Sequence, residues 1–287
     1  MKGAQAGPRW FAHQVERERR LGVACDERYF DLGPLDEKEA LAFGGLDARA
    51  VDAALAHARP IAGVPHFAVP VANPSKILCL GKNYAAHAAE FGAKVPEEPF
   101  YFAKLAETLL PHKGTVLLPR WVETRIDHEI ELGVVLGFQD PDRAGVKFVA
   151  ARDAMQLVAG FTVLNDVTAR DLQGEDRAKK HPWLRSKSFD TFCPIGPWVV
   201  PREHLPNVHD LAISLTVNGV VRQQSKTSKM VVSIADAIAW LSKHHTLRPG
   251  DIVAMGTPEG VGPIQPGDVM SGEIEGIGQL VNPVARE

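Results

Sequence analysis

The sequence predicts a strand-rich α+β fold, and three observations carry the prediction. Short apolar runs rich in β-branched and aromatic residues recur from IELGVVLGF onward. Glycine and proline, 25 and 21 residues, stand at the margins of these runs, and helical periodicity is confined to a few short segments. An all-α bundle or a regular βαβ array needs more helix than this pattern offers. With 287 residues the chain has room for one large domain or two average ones.

Each element follows in order. Residues 1–70 alternate short apolar groups, LGVAC and YFDLGPL, with an Ala-rich stretch, AVDAALAHARP, that reads as helix. Pro60, Pro65, Pro70 and Pro74 then punctuate the chain, so a small N-terminal domain over 1–70 and a larger domain over 71–287 are expected. KILCLG reads as a strand ending at Gly81, and KNYAAHAAEFG as a short helix capped by Asn83 and closed by Gly92. IELGVVLGF, LVAGFTVLNDV and FCPIGPWVV read as strands. LAISLTVNGVVRQQ forms two strand arms around Asn218-Gly219, the strongest hairpin signal in the chain. SIADAIAWLSKHH reads as a helix capped by Ser233, and the C-terminal segments return to short strands.

Composition excludes several function classes. With 32 Lys plus Arg against 35 Asp plus Glu, the net charge of −3 gives no electrostatic footprint for nucleic acid or an anionic membrane. Cys25, Cys79 and Cys193 are far apart and odd in number, which fits neither a disulfide framework nor a CxxC metal site. The N-terminus lacks the apolar core of a secretory signal, and no run reaches a membrane-spanning length. A soluble cytoplasmic protein is expected.

The sharpest local feature is DHEIE, residues 127–131. On a strand, Glu129 and Glu131 share a face while His128 points away, and a hard divalent cation between the two carboxylates relieves their repulsion. The alternative is a solvated strand margin. Asp166, at the end of an apolar run, supplies a third carboxylate or else a turn or helix cap. HExxH fails because Leu132 stands where the second histidine belongs, so a zinc protease is not indicated. His87 and Glu90 lie three residues apart on one helical face, where the carboxylate can orient the imidazole as a general base; an ordinary surface pair has the same spacing. Lys187, Arg170 or Lys104 could meet a substrate carboxylate or oxyanion, and Gln173, Gln224 and Thr257 could hydrogen-bond substrate oxygens. GTPEGVG matches neither phosphate-binding glycine motif, and no GxSxG nucleophile elbow occurs.

In order along the chain, LGKNYAAHAAE, PFYFAK, DHEIELGVVLG, GFTVLNDVTARDLQ, WLRSKSFDTFCPIGP, LTVNGVVRQQSKTSKM and LRPGDIVAMGTPEGVG resemble the fumarylacetoacetate hydrolase family over roughly residues 72–284. The resemblance implies a mixed β-sandwich or β-roll catalytic domain with a smaller N-terminal domain. It implies Glu129, Glu131 and Asp166 as ligands of Mg²⁺, with Mn²⁺ or Ca²⁺ possible, and His87 and Glu90 as a catalytic dyad with Lys187 beside the reacting oxygens. Tyr84, Lys104, Arg170, Gln173 and Thr257 are then expected in the substrate pocket, and the assembly is expected to be a homodimer.

Departures from the family pattern refine the expectation. Lys82 stands at a variable position at the pocket mouth, His128 replaces a frequent aromatic residue, and LAETLL follows Lys104 in place of a proline- and serine-containing stretch. Leu80 occupies the place of a fourth metal carboxylate, so the site resembles the three-carboxylate acylpyruvate hydrolases. The activity this implies is hydrolysis of a carbon–carbon bond in a 2,4-dioxo acid, of acylpyruvate or fumarylpyruvate type. The alternatives are a decarboxylase, hydratase or isomerase of a 2-oxo dicarboxylic acid, and a non-catalytic metal-binding or dimerisation module.

Overall fold

A computed structural model describes residues 7–25, 28–35, 55–138 and 143–287. The longest described helix, Ile234–His244, has 11 residues, whereas the largest sheet has 12 strands. Ile130–Leu136, Val158–Asn165 and Cys193–Pro201 lie side by side and antiparallel in that sheet, with every residue buried. Burial on both faces explains why these segments read as nearly continuous apolar runs. Alternate residues still serve different cores: Ile130, Leu132, Val134 and Leu136 join one cluster and Val135 another.

A five-stranded sheet packs on this one in the order Val220–Lys226, Ala212–Val217, Val269–Ile274, Gly278–Arg286 and Val116–Leu118. A Cβ on Gly272 would lie 2.2 Å from Ile130 Cδ1, so the two sheets approach closely there because that residue has no side chain. The result is the expected strand-rich sandwich. The N-terminal strands Arg9–Val15, Glu18–Cys25, Arg28–Pro34 and Arg59–Ile61 extend the large sheet through the pairing of Trp10 with Val199.

Topology also decides where a site can form. Ile252–Ala254 runs antiparallel to Ile130–Leu136 and parallel to Ile77–Gly81. Four chain segments therefore meet at one edge: the ends of Ile77–Gly81, Ile252–Ala254 and Val158–Asn165, and the start of Ile130–Leu136. Loops leaving such an edge can carry polar side chains without burying an unpaired backbone.

Local chemistry accounts for several elements. Asn218 and Gly219 have φ of 52° and 77°, the left-handed pair that a tight hairpin between Val217 and Val220 requires. Ser233 Oγ accepts the Asp236 N–H at 3.1 Å, and Gly92, at φ 60°, follows the helix Ala85–Glu90. Asn83 is not the cap of that helix; Tyr84 holds the position without a side-chain cap bond. The Asn83 amide is buried and bonded to distant backbone instead: Nδ2 donates to Met255 O at 2.8 Å, and Oδ1 accepts Val232 N–H at 2.7 Å. Residues 50–54 of the Ala-rich stretch lie outside the described residues, and its last two, Arg59 and Pro60, are strand rather than helix. Among the described residues no helix is long and apolar enough to cross a membrane.

Candidate active site

Glu129 falls in a one-residue gap between the strands Ile126–His128 and Ile130–Leu136. The gap is closed by the neighbouring strand: Glu129 N–H donates to Asn165 Oδ1 at 2.8 Å, and Glu129 O accepts Asp166 N–H at 2.8 Å. These two bonds lock Glu129 beside Asp166. Ile130 packs into the core, which returns Glu131 to the side occupied by Glu129. The carboxylates of Glu129, Glu131 and Asp166 are all buried, with donor atoms within 4.8 Å of one another. His128 points away, its Nδ1 2.9 Å from Gln223 Oε1.

Three buried carboxylates repel one another unless each has a partner. Lys187 Nζ lies 2.9 Å from Glu129 Oε2 and 2.5 Å from Asp166 Oδ2, and Lys104 Nζ lies 2.7 Å from Asp166 Oδ1. Arg170 pairs with Glu129 and, at 2.8 Å, with Asp127. Glu131 has no ion pair among the described residues; its Oε2 accepts the Gly256 N–H at 2.7 Å. Burial raises both glutamates, but at Glu129 the charges of Lys187 and Arg170 outweigh it and hold the carboxyl below its usual range. At Glu131 burial and the charges of Asp166 and Glu129 act together and push the carboxyl well above it. A positive charge placed among the three carboxylates would relieve that strain on Glu131, and their all-oxygen donor set is of the kind that could hold a hard divalent cation.

His87 and Glu90 stand on the helix Ala85–Glu90. His87 Nδ1 is 3.2 Å from Glu90 Oε2, and Glu90 Oε1 accepts the Gly260 N–H at 2.7 Å. The loop that follows Ile252–Ala254 therefore holds both sides: Gly256 N–H fixes Glu131, and Gly260 N–H fixes Glu90. Gly256 has φ 86°, and a Cβ there would lie 2.8 Å from Asn83 Cβ, so this close crossing of the loop requires glycine.

A cavity of about 210 Å³ joins the two sides and is lined by His87, Glu129, Glu131, Arg170, Gln173, Lys187 and Thr257. Two residues expected in the pocket lie elsewhere. Lys104 is buried behind Asp166, where its ammonium also donates to Lys187 O, and it serves the carboxylate cluster. Tyr84 is buried beside the cluster and does not line the cavity. Gln224 is exposed; its neighbour Gln223 is the buried one, donating to Thr257 Oγ1 at 2.8 Å. Alternation in the hairpin strand carried that signal, because Gln223, Ser225 and Thr227 all point inward. Sequence reasoning also missed Phe102, Trp183 and Arg177, which line the cavity with Lys82; Phe102 places its ring centre 4.7 Å from Lys187 Nζ. Phe102 and Trp183 fall within PFYFAK and WLRSKSFDTFCPIGP, but as apolar rings they read as core, and Arg177 reads as a solvated helix residue.

Fold and site together define a class, a β-sandwich domain in which three buried carboxylates that could hold a divalent cation face a histidine–carboxylate pair. The chain belongs to the fumarylacetoacetate hydrolase family: residues 76–285 match the family model described as fumarylacetoacetate (FAA) hydrolase C-terminal. The mitochondrial oxaloacetate tautomerase FAHD2A of Bos taurus is 42% identical over 226 residues, covering 76% of the chain and 69% of that protein. The structure of fumarylpyruvate hydrolase from Pseudomonas aeruginosa, in complex with Mn²⁺ and pyruvate, is 37% identical with a TM-score of 0.68, covering 79% of the chain and 94% of its own. Maleylpyruvate hydrolase from Sphingobium sp. SYK-6, in complex with manganese(II) and pyruvate, is 29% identical with a TM-score of 0.80, covering 97% of the chain and 99% of its own. Hydrolases and tautomerases thus share this fold.

Proposed function

We propose that the chain is a Mg²⁺-dependent hydrolase that cleaves a carbon–carbon bond in a 2,4-dioxo acid, releasing pyruvate and a carboxylic acid. The observation that carries the reading is the opposition of two functions across one small cavity: the His87–Glu90 pair on one side, the carboxylates with Lys187 on the other. Glu129, Glu131 and Asp166 would hold the cation, with Mn²⁺ or Ca²⁺ as possible substitutes. When bound, the cation supplies a Lewis acid for the 2-oxo-acid end of the substrate.

The chain's own residues supply the rest. Glu90, fixed by Gly260 N–H, accepts Nδ1–H of His87, which leaves the Nε2 lone pair to take a proton from water. The resulting hydroxide adds to C4. The C3–C4 bond then breaks, its electron pair moves to the pyruvate fragment as an enolate, and a proton delivered to C3 completes pyruvate. Water has been consumed, with its oxygen in the new carboxylic acid. Burial works against the charge of Lys187, but Asp166 and Glu129 outweigh it and raise its pKa, so the ammonium stays charged beside the developing oxyanion.

Lys82 and Arg177 line the same cavity, and neither side chain has an ion pair or hydrogen bond among the described residues. They favour a substrate with a second carboxylate, of fumarylpyruvate type, over a simple acylpyruvate. Tautomerisation of a 2-oxo dicarboxylic acid is the second reading, favoured by the 42% identity to an oxaloacetate tautomerase. In it the same histidine moves a proton at C3 and no water adds. A product-resolved assay over acylpyruvates, fumarylpyruvate and oxaloacetate with Mg²⁺ separates the two. Pyruvate from a 2,4-dioxo acid supports hydrolysis; enol–keto interconversion with no fragment from any of them overturns it.

A further inference from the structure

We propose that Gln223 is a positioning residue that fixes Thr257 as a hydrogen-bond donor toward the bound acid. The inference rests on the reading that the cavity binds a 2-oxo acid, and it adds the hydrogen-bond polarity of one wall.

The amide of Gln223 is fully buried, and four contacts determine which way it faces. Oε1 accepts the Ile130 N–H at 3.1 Å, and Nε2 donates to Pro258 O at 2.9 Å and to Thr257 Oγ1 at 2.8 Å. The fourth contact is His128 Nδ1, 2.9 Å from Oε1. A backbone N–H can only donate and a backbone carbonyl can only accept. Rotating the amide by half a turn would set donor against donor at Ile130 and acceptor against acceptor at Pro258. Its orientation is therefore set by two groups that cannot change role.

Two consequences follow. His128 must carry its proton on Nδ1, which leaves Nε2 as a bare lone pair; that atom is indeed buried without a hydrogen-bond partner among the described residues. Thr257 Oγ1 must accept from Gln223, so its own proton is free. No other described residue bonds that hydroxyl, and Thr257 lines the cavity. The hydroxyl therefore presents a donor to an acceptor oxygen, such as a substrate carboxylate or carbonyl.

Gln223→Glu tests the assignment with little change of volume. The new carboxylate still accepts from Ile130 and His128, but it places an acceptor against Pro258 O and against Thr257, whose proton then turns from the cavity to meet it. The probe is oxalate, a planar dioxygen acid, titrated calorimetrically into the Mg²⁺-loaded protein. We expect Gln223→Glu and Thr257→Val each to weaken oxalate roughly tenfold or more, the scale of a hydrogen bond to a charged group. The double variant should bind as Thr257→Val alone does. Unchanged binding in either single variant, or the same further loss when Gln223→Glu is placed on Thr257→Val, would overturn the proposal.

If Gln223→Glu does not fold, ¹⁵N spectra of the His128 ring in the unaltered protein decide the matter. A proton on Nδ1 is the expected result, and a proton on Nε2 would overturn it. Binding and spectra are read without turnover, so failure of the hydrolase assignment and failure of this one are separately visible.

Discussion

The carboxylate side of the cavity and the histidine side are held in different ways. Glu129, Glu131 and Asp166 are 4%, 2% and 0% exposed, sit where central strands end or begin, and are tied down by backbone bonds and buried cations. His87 and Glu90 ride on a six-residue helix, with side chains 11% and 34% exposed, and His87 lines the cavity. The difference follows from the work each side does. Charges that must stay in place while desolvated belong on the least deformable part of the fold, whereas a group that takes a proton from water must stay close to water.

Removing a charge from the buried side should therefore damage the fold as well as activity. Asp166→Ala leaves Lys104 and Lys187 without their shared partner, and a stability loss of about 3–5 kcal/mol is expected by denaturant titration. His87→Ala should do the opposite. Turnover should fall by about 10²–10⁴ with the unfolding midpoint and cation affinity unchanged. Equal destabilisation by the two substitutions would erase the contrast.

That contrast was only partly legible in the sequence. Period-two alternation placed Glu129 and Glu131 together, and Asn218-Gly219 and Ser233 announced their turn and cap, because each of these signals is local. Asn83 was misread as a cap because its partners, Val232 and Met255, are about 150 and 170 residues away and satisfy the amide more completely than a helix end could. Lys104 was misplaced for the same reason. A lysine looks like a surface or substrate-facing residue until a buried carboxylate from a distant segment, here Asp166, claims it. Phe102, Arg177 and Trp183 line the cavity from separate segments, and neither an apolar ring nor a helical arginine signals locally that it faces a pocket.

A smaller effect is expected at Lys82. Lys82→Met should raise KM several-fold for a substrate with a distal carboxylate, with little change for acetylpyruvate, because one charged contact is lost and the chemistry is untouched. An equal rise for both substrates would remove Lys82 from substrate selection.

The smallest effect lies outside both sides and separates acid sensitivity of the scaffold from that of the site. Burial, aided by the charge of Lys113, lowers His112 to about 4 from an ordinary value of 6.5. Its folded pKa lies below its unfolded one, so the unfolded chain binds the extra proton. This contribution to stability is full above about pH 6.5 and is lost as pH falls toward 4. His112→Asn should flatten that part of the melting-temperature profile and leave the pH dependence of turnover unchanged. An unaltered melting profile would show that His112 does not contribute.

Hydrolysis as proposed requires water, activated at His87, to add to C4 of a 2,4-dioxo acid held over the carboxylates. Incubating the Mg²⁺-loaded protein with fumarylpyruvate in H₂¹⁸O and resolving the products by mass tests it most directly. Pyruvate is expected together with fumarate carrying one ¹⁸O in its newly formed carboxyl group. Interconversion of substrate tautomers with no fragment formed would contradict it.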